Sequence, residues 1–181
     1  MKLLGLNNEP LKYWHNNEII EIPKYQYQPN YLRGVWIATV GNMDVPLMKD
    51  INEYKNHLVG ILDTMNTYNL NTAIFHVRPT NDAFYPSKLN PWSRFITGQE
   101  DENPGFDVLD FFIQEAKKRN IRVHAWFNPY RVHGQNIKEI NMTKDEFLET
   151  LSDRNWAKMY KEHTILDGTN KIILRPGHPE V

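Results

Sequence analysis

The most constraining feature of this sequence is the regular alternation of three β-prone segments with two amphipathic segments of helical spacing. The β-prone segments are residues 32–40, 72–78 and 121–127. The helical segments between them are predicted at 51–69, after a capping Asp50, and between Gly105 and Arg119. Strands that alternate with helices favour right-handed crossovers, so the sequence predicts an α/β fold with a parallel sheet.

The segments before and within this pattern are less regular. Residues 1–30 form a polar, asparagine-rich lead-in, in which Glu18–Ile22 is predicted to be a short strand. Pro79 ends the second strand, and a long loop is predicted from there to about residue 103 because prolines recur through it.

The last forty residues carry three further structural signals. Thr143 and Glu146 have the spacing of a capping box, which predicts a short helix. Helix is also predicted over Asn155–Glu162. The Asp-Gly pair within 164–174 separates two β-prone runs, which predicts a hairpin.

Length and composition exclude several functional classes. The chain has 181 residues, 40% of them hydrophobic, which suffices for one domain with a real core. A formal charge of -1 argues against a nucleic-acid partner, and no apolar run approaches the ~20 residues of a membrane span. The start lacks a signal-peptide pattern, so the default expectation is a cytoplasmic protein, with the cell envelope or secretion as the alternative.

Polar residues gather where the three predicted strands end. In parallel α/β folds, ligands bind at the carboxyl ends of the strands. The candidate site residues at these ends are Asn42, Asp44, His76, Arg78, Asn81, Asp82, His124, Trp126, Asn128, Tyr130 and Arg131. Any one of them is more often a structural residue, but a single core rarely needs so many buried polar groups, so together they predict a binding site.

The third strand shows this pattern most clearly, in the stretch HAWFNPYR. Alternation divides it into two faces. Val123, Ala125 and Phe127 are predicted to face the helices, whereas His124, Trp126 and Asn128 are predicted to face a lumen and a binding site.

The residue types at the strand ends suit a sugar better than other ligands. Aromatic rings stack on the apolar face of a pyranose, while amides and charged groups bind its hydroxyls. The chain has no glycine-rich phosphate loop, no HExxH or HxH metal pattern and no GxSxG nucleophile motif. No cofactor and no metal are therefore expected.

Four ordered motifs resemble one bacterial family. LRGVWIATVGN, FHVRPTNDAFYPSKLNPWS, HAWFNPYR and PGHPEV, spread from Leu32 to Val181, are similar to the glycosyl-hydrolase-like 10 family, also called domain of unknown function 187. The resemblance implies a (β/α)8 TIM barrel, of which residues 31–181 would be about the first half, truncated at the C-terminus. It also implies hydrolysis of O-glycosidic bonds in bacterial glycans, including those of the cell wall. Val45 and Arg175 depart from the family pattern.

The same resemblance places the leading catalytic acids after Val181. Glycoside hydrolysis usually needs two carboxylates, and Asp44 and Asp82 are the weak candidates at these strand ends. The structural alternatives are a loop or capping role for Asp44 and a turn in which Asp82 pairs with Arg78. This 181-residue chain is accordingly expected to position substrate without hydrolysing it, and the open edges of a half-barrel predict self-association.

Three alternative functions are compatible with the same residues. The chain could be a non-catalytic carbohydrate-binding module, for which Trp126 would be essential. It could be a different barrel enzyme, an isomerase or aldolase, that uses Arg78 for an anionic substrate. It could also be a structural fragment without activity.

Overall fold

A computed structural model describes residues 2–21 and 31–179 of the chain. It contains two compact units, Met1–Tyr31 and Leu32–Val181. In the smaller unit, antiparallel bridges join Lys2 to Glu21, Leu4 to Pro10 and Lys12 to Ile19. The strand predicted over Glu18–Ile22 is thus represented by isolated bridges at two positions, and Ile22 lies outside the described residues.

The larger unit is built on a three-stranded parallel sheet of order β1-β2-β3. The strands are Gly34–Ile37 (β1), Thr72–Arg78 (β2) and Arg122–Phe127 (β3). β1 is shorter than predicted because Thr39 has left the extended conformation and Val40–Asn42 forms a 3-10 turn, with Gly41 at a φ of 64°. Only glycine adopts such a φ without steric cost, which makes Gly41 well suited to this turn after the strand.

Two helices cover one side of the sheet. α1 spans Ile51–Thr67 and α3 spans Val108–Lys118, and a four-residue helix, α2, lies between them at Arg94–Thr97. The predicted cap of α1 is confirmed, since the Asp50 carboxylate accepts from the backbone N–H groups of Asn52 and Glu53. The buried core between these helices and the sheet includes Leu58, Leu62, Phe75, Val77, Phe84 and Phe112.

The loop predicted after β2 is more ordered than the sequence indicated. α2 lies within it, and the Ser93 hydroxyl caps this helix by accepting from the Phe95 N–H. A bridge between Ala83 and Trp92 closes the preceding turn. Four helical residues are too few for a periodic signal, which explains why the sequence did not indicate α2.

A second hydrophobic cluster follows β3. It contains α4 (Lys144–Glu149), α5 (Trp156–Met159) and an antiparallel hairpin of β4 (Thr164–Leu166) and β5 (Ile172–Leu174). Its buried residues include Val132, Phe147, Leu148, Leu151 and Ile172. An isolated bridge between Arg131 and Ile173 joins the hairpin to the segment after β3.

The local predictions in this second cluster are largely confirmed. The capping box of Thr143 and Glu146 is present at the start of α4, and the hairpin forms at the predicted place. The helix predicted over Asn155–Glu162 is wrong in its extent, because Tyr160 has φ -128° and ψ 61° and separates α5 from a 3-10 turn.

The α/β class is therefore confirmed, and the parallel sheet with its covering helices is compatible with part of a barrel. Among the described residues, no helix has both the length and the apolar character that a membrane span requires.

Candidate functional site

The side of the sheet opposite α1 and α3 carries aromatic and polar side chains. Strand register places Trp36 beside Ile74, Ile74 beside His124, and His76 beside Trp126. Trp36 is 60% exposed, His124 is exposed and Trp126 is half-buried. Trp126 therefore lies on the face predicted from the alternation in HAWFNPYR, beside a second tryptophan from β1.

The residues of β3 on the other face, Val123, Ala125 and Phe127, are only partly buried. Val123 packs against the core, as predicted, but Ala125 is exposed and Phe127 is 47% exposed. β3 is the outer strand of the described sheet, so its second half gains less cover than β2. Ala125 is paired with Phe75 and therefore shares the helix side of the sheet, as predicted, but the described helices leave Ala125 and Phe127 uncovered.

Three side chains form a connected aromatic column. The Trp126 ring stacks on His76 with centroids 3.7 Å apart and planes 9° apart, and the Trp36 ring meets Trp126 edge-on at 4.9 Å. The Trp126 indole N–H donates to Asn128 Oδ1 at 3.1 Å. Asn128 Nδ2 lies 2.7 Å from His76 Nε2 and donates to the Pro79 carbonyl at 3.1 Å. Asn128 thus fixes the orientation of both rings.

These hydrogen bonds assign the protonation of His76. Because the amide nitrogen of Asn128 donates, His76 Nε2 accepts and the ring proton lies on Nδ1. That Nδ1 is buried and has no hydrogen-bond partner among the described residues. Burial, and secondly the charge of Arg131, lower the pKa of His76 to about 4, so the imidazole is neutral near pH 7.

Arg78 lies at the end of β2 and binds neutral oxygens. Its Nε donates to Asn90 Oδ1 at 3.1 Å, Nη1 to the Pro129 carbonyl at 3.3 Å, and Nη2 to Asn81 Oδ1 at 2.6 Å. Burial lowers the pKa of its guanidinium, although Tyr85 and Asp82 oppose the shift. The guanidinium still remains charged at neutral pH, since arginine is not deprotonated in proteins.

The predicted pairing of Arg78 with Asp82 is wrong. Asp82 is fully buried and accepts from the Ser93 hydroxyl at 2.5 Å and from the Thr80 N–H at 3.1 Å. Burial raises the pKa of this carboxyl, and the bonds from Ser93 and Thr80 oppose the rise. Asp82 thus organises the turn that leads from β2 towards α2.

The two candidates after β1 also have structural contacts. Asp44 Oδ2 accepts from the Ala38 N–H at 2.7 Å, which is the loop role considered for it. Asn42 Nδ2 donates to the carbonyls of Val45 and Phe95, at 3.0 and 2.7 Å. Val45, one of the two departures from the family pattern, is 1% exposed and belongs to the core.

The remaining candidates lie at the end of β3. Tyr130 is 42% exposed, and its backbone carbonyl accepts from the Leu174 N–H at 2.7 Å. Arg131 is half-buried, its charge acts on His76, and it forms no ion pair within residues 2–21 and 31–179. Neither Arg78 nor Arg131 thus forms a salt bridge in the described part of the chain.

A small cavity lies beside Arg78. Its volume is about 250 Å³, and we call it the Arg78 pocket. It is lined by Arg78, Asn81, Leu89, Asn90, Pro129, Trp156 and Leu174. Asn81, one of the lining residues, donates from Nδ2 to Asn155 Oδ1 at 3.1 Å, and Asn155 Nδ2 donates to Glu100 Oε1 at 2.8 Å.

Sequence reasoning missed three residues that structure brings to these surfaces. Trp36 could have been found, because it alternates with Val35 and Ile37 as Trp126 does with its neighbours. Asn90 and Trp156 lie outside the strands, in a loop and a short helix, and only tertiary folding brings them to Arg78. The part of the chain that the structure describes has no cluster of histidine and carboxylate groups placed to hold a metal ion.

Comparison with known proteins gives a consistent result. The family model described as "Glycosyl hydrolase-like 10" matches residues 31–181. Glycosyl hydrolase YngK of Bacillus subtilis is 40% identical over 151 residues, which cover 82% of this chain and 28% of that protein. Glycosyl hydrolase DigH of Escherichia coli K12 is 38% identical over 161 residues, which cover 83% and 36%. The chain spans about a third of the length of these curated relatives, and it belongs to the glycosyl-hydrolase-like 10 family.

Proposed function

We propose that the protein is a glycoside hydrolase that acts on bacterial glycans, including cell-wall glycans, and that the described residues bind the sugar chain. The observation that carries the proposal is the pair of tryptophans, Trp36 and Trp126, on the open side of the sheet. Large aromatic side chains are normally buried, so two of them in contact on an accessible face indicate a binding surface.

The surroundings of these tryptophans suit a neutral, hydroxyl-rich ligand. Their rings supply apolar area for the faces of sugar rings, and Asn128 holds Trp126 in one orientation. His124 and Tyr130 are exposed nearby along the same strand and its extension, where their polar groups are available to hydroxyls. His76 stays neutral, so the column itself does not add charge.

We further propose that residues 31–181 are the N-terminal part of a (β/α)8 barrel, with residues 1–30 as a lead-in. In that arrangement the Trp36–Trp126 face lines the barrel, and the strand ends lie at the catalytic rim. The support is the parallel order β1-β2-β3 with α1 and α3 on the opposite face. A closed barrel has no open sheet edge, whereas an open edge pairs readily with a second copy of the chain.

The acid–base chemistry is proposed to use carboxylates other than the two strand-end candidates. Asp82 is fully buried and its oxygens bind Ser93 and Thr80, while Asp44 fixes the loop after β1. Asp82 is thus not free to protonate a leaving group or to attack a sugar, the two roles that glycoside hydrolysis requires, and Asp44 uses one of its two oxygens to bind the Ala38 N–H. The same observation favours the second candidate function, a non-catalytic glycan-binding module.

Titration of the chain with cell-wall glycan oligosaccharides tests the binding proposal. We expect saturable binding that Trp126→Ala weakens at least about tenfold, since stacking area is lost. Trp14→Ala is the matched control, because Trp14 is 95% exposed and belongs to the other compact unit. Equal affinities of the Trp126 variant and the wild type would show that the binding face is wrongly assigned.

Release of reducing ends from the same glycans separates the two functions. We expect no release by this chain alone, and release by a protein of the relatives' length. Release by this chain that Asp44→Asn or Asp82→Asn abolishes would contradict the assignment of both residues as structural. Absence of release by the longer protein, with binding retained, would favour the non-catalytic module.

A further inference from the structure

We infer that the Arg78 pocket is a subsite for a sugar residue that carries a carboxylate. The inference rests on the proposed function, because it assigns one acidic position within the bound glycan. The inference goes beyond the proposed function because it distinguishes two surfaces. One is the neutral tryptophan face, and the other is a cationic pocket with its own aromatic side chain.

Arg78 forms no salt bridge within the described residues, although the charge of Asp82 acts on it from beyond salt-bridge distance. All three of its hydrogen-bond acceptors are neutral, namely two asparagine side chains and the Pro129 carbonyl. A half-buried guanidinium normally has a carboxylate or phosphate partner, because burial without one costs free energy. Three of its five N–H groups are used, which leaves two for a ligand.

The carboxylates of Glu100 and Asp82 are hydrogen-bonded to residues other than Arg78. Glu100 Oε1 accepts from Asn155 Nδ2 at 2.8 Å, and Oε2 accepts from the Ser152 N–H at 2.5 Å. Asp82 is bound to Ser93 and Thr80. The hydrogen-bond network therefore directs neutral amide oxygens, rather than an acidic side chain, at Arg78.

The lining of the pocket also includes apolar and aromatic side chains. Trp156 lines the pocket and packs against Tyr160, with ring centroids 4.8 Å apart, and against His163 at 5.7 Å. These contacts fix the indole in place. A sugar ring against Trp156 would bring its carboxylate towards Arg78, a combination of stacking and charge-assisted hydrogen bonding. The volume of about 250 Å³ suits a single small ring.

Matched oligosaccharides test this subsite. We would titrate the chain with a trisaccharide of galacturonic acid and with its methyl ester, and follow the Arg78 Nε–H and Trp156 indole N–H signals by NMR. The ester carries no charge and differs from the acid by one added methyl group on each ring. We expect the acid to bind about tenfold more tightly than the ester, because hydrogen bonds to charged groups are the stronger ones.

Three variants and a control show whether the preference for the acid depends on the Arg78 pocket. Arg78→Gln should abolish the difference between acid and ester, and Trp156→Ala should weaken both. Arg122→Gln is the matched control, since Arg122 is an exposed residue at the start of β3, away from the strand ends. Arg78→Lys should retain part of the preference, because the charge remains while the planar fork is lost.

Each outcome has a defined meaning. Equal binding of acid and ester, with Trp126→Ala still weakening both, overturns the carboxylate subsite and leaves the proposed function intact. A preference that survives in Arg78→Gln also overturns it. Tighter binding of galactose 6-phosphate than of galacturonate overturns the carboxylate assignment in favour of phosphate. Binding of none of these ligands, nor of cell-wall glycans, overturns the proposed function and the subsite together.

Discussion

The two faces of the parallel sheet differ although the same three strands form both. On the helix side, Phe75 is fully buried and stacks on Phe112 with centroids 4.3 Å apart. On the other side, at the positions next in sequence, His76 stacks on Trp126 at 3.7 Å beside an exposed Trp36. Alternation of side chains along a strand thus separates a dry core from a surface able to bind ligands.

Ring stacking has different consequences on the two faces of the sheet. Phe75 and Phe112 are hydrocarbon throughout, so their contact stabilises the fold by burial alone. Trp126 and His76 also carry N–H groups, and Asn128 joins them by hydrogen bonds. The first face is therefore expected to determine stability, and the second to determine recognition.

The largest expected effect is on the helix side. Phe75→Ala should lower the free energy of unfolding by about 3–5 kcal/mol, because it leaves a cavity against Phe112 and Phe84. Chemical denaturation measures the change. A loss smaller than that of Trp36→Ala would contradict the division of roles between the two faces.

The second effect is a pH dependence from the recognition side. Folding lowers the pKa of His76 to about 4. As the pH falls below the ordinary pKa of histidine, this side chain therefore binds a proton in the unfolded chain but not in the folded chain. Stability is therefore lost as pH falls, by about 2 kcal/mol at pH 5 from this residue. Denaturation midpoints at pH 7 and pH 5 measure it.

His133 contributes a shift in the same direction, because burial and Arg94 lower its pKa to about 4. The two histidines must therefore be separated by substitution. The stability difference between wild type and His76→Gln should shrink from pH 7 to pH 5. A difference that does not change with pH would show that His76 is protonated alike in both states.

Much of the fold could be predicted from sequence, because its signals are local. The capping residues Asp50 and Thr143, the alternation of strands and helices and the hairpin all depend on neighbours in the chain, and each is confirmed. α2 and the break at Tyr160 depend on tertiary packing over only a few residues. No periodic pattern could have indicated them.

The candidate site was less predictable, for a related reason. Strand ends indicated that His76, Trp126 and Asn128 would lie together, and the structure brings them into contact. Arg78 and Asp82 are four residues apart and of opposite charge, which favoured pairing. The turn instead buries Asp82 against Ser93, a contact that sequence spacing does not reveal.

A third prediction concerns the link between the two rings. Asn128→Ala should lower stability by about 1.5 kcal/mol, since His76 Nε2 and the Pro79 carbonyl lose their donor. Asn128→Asp is the informative companion, because a carboxylate there should raise the pKa of His76. NMR titration of the imidazole measures that shift, and an unchanged pKa would argue against the assigned contact.

The smallest expected effect on stability is at the exposed tryptophan. Trp36→Ala should cost about 1 kcal/mol or less, because the ring is 60% exposed and makes one edge-on aromatic contact. Glycan affinity should nevertheless fall severalfold. Calorimetry of folding and of binding on the same samples measures both, and a large stability loss with unchanged affinity would reverse the comparison.

The amide link from Asn81 through Asn155 to Glu100 has a consequence for how the chain opens. It joins the long loop after β2 to the segment at α5, and Asn81 and Asn155 are 74 positions apart in sequence. Both asparagines are buried, so water cannot readily replace the link. The proline-rich loop should therefore resist proteases and amide exchange until the sheet itself unfolds, as part of one cooperative unit.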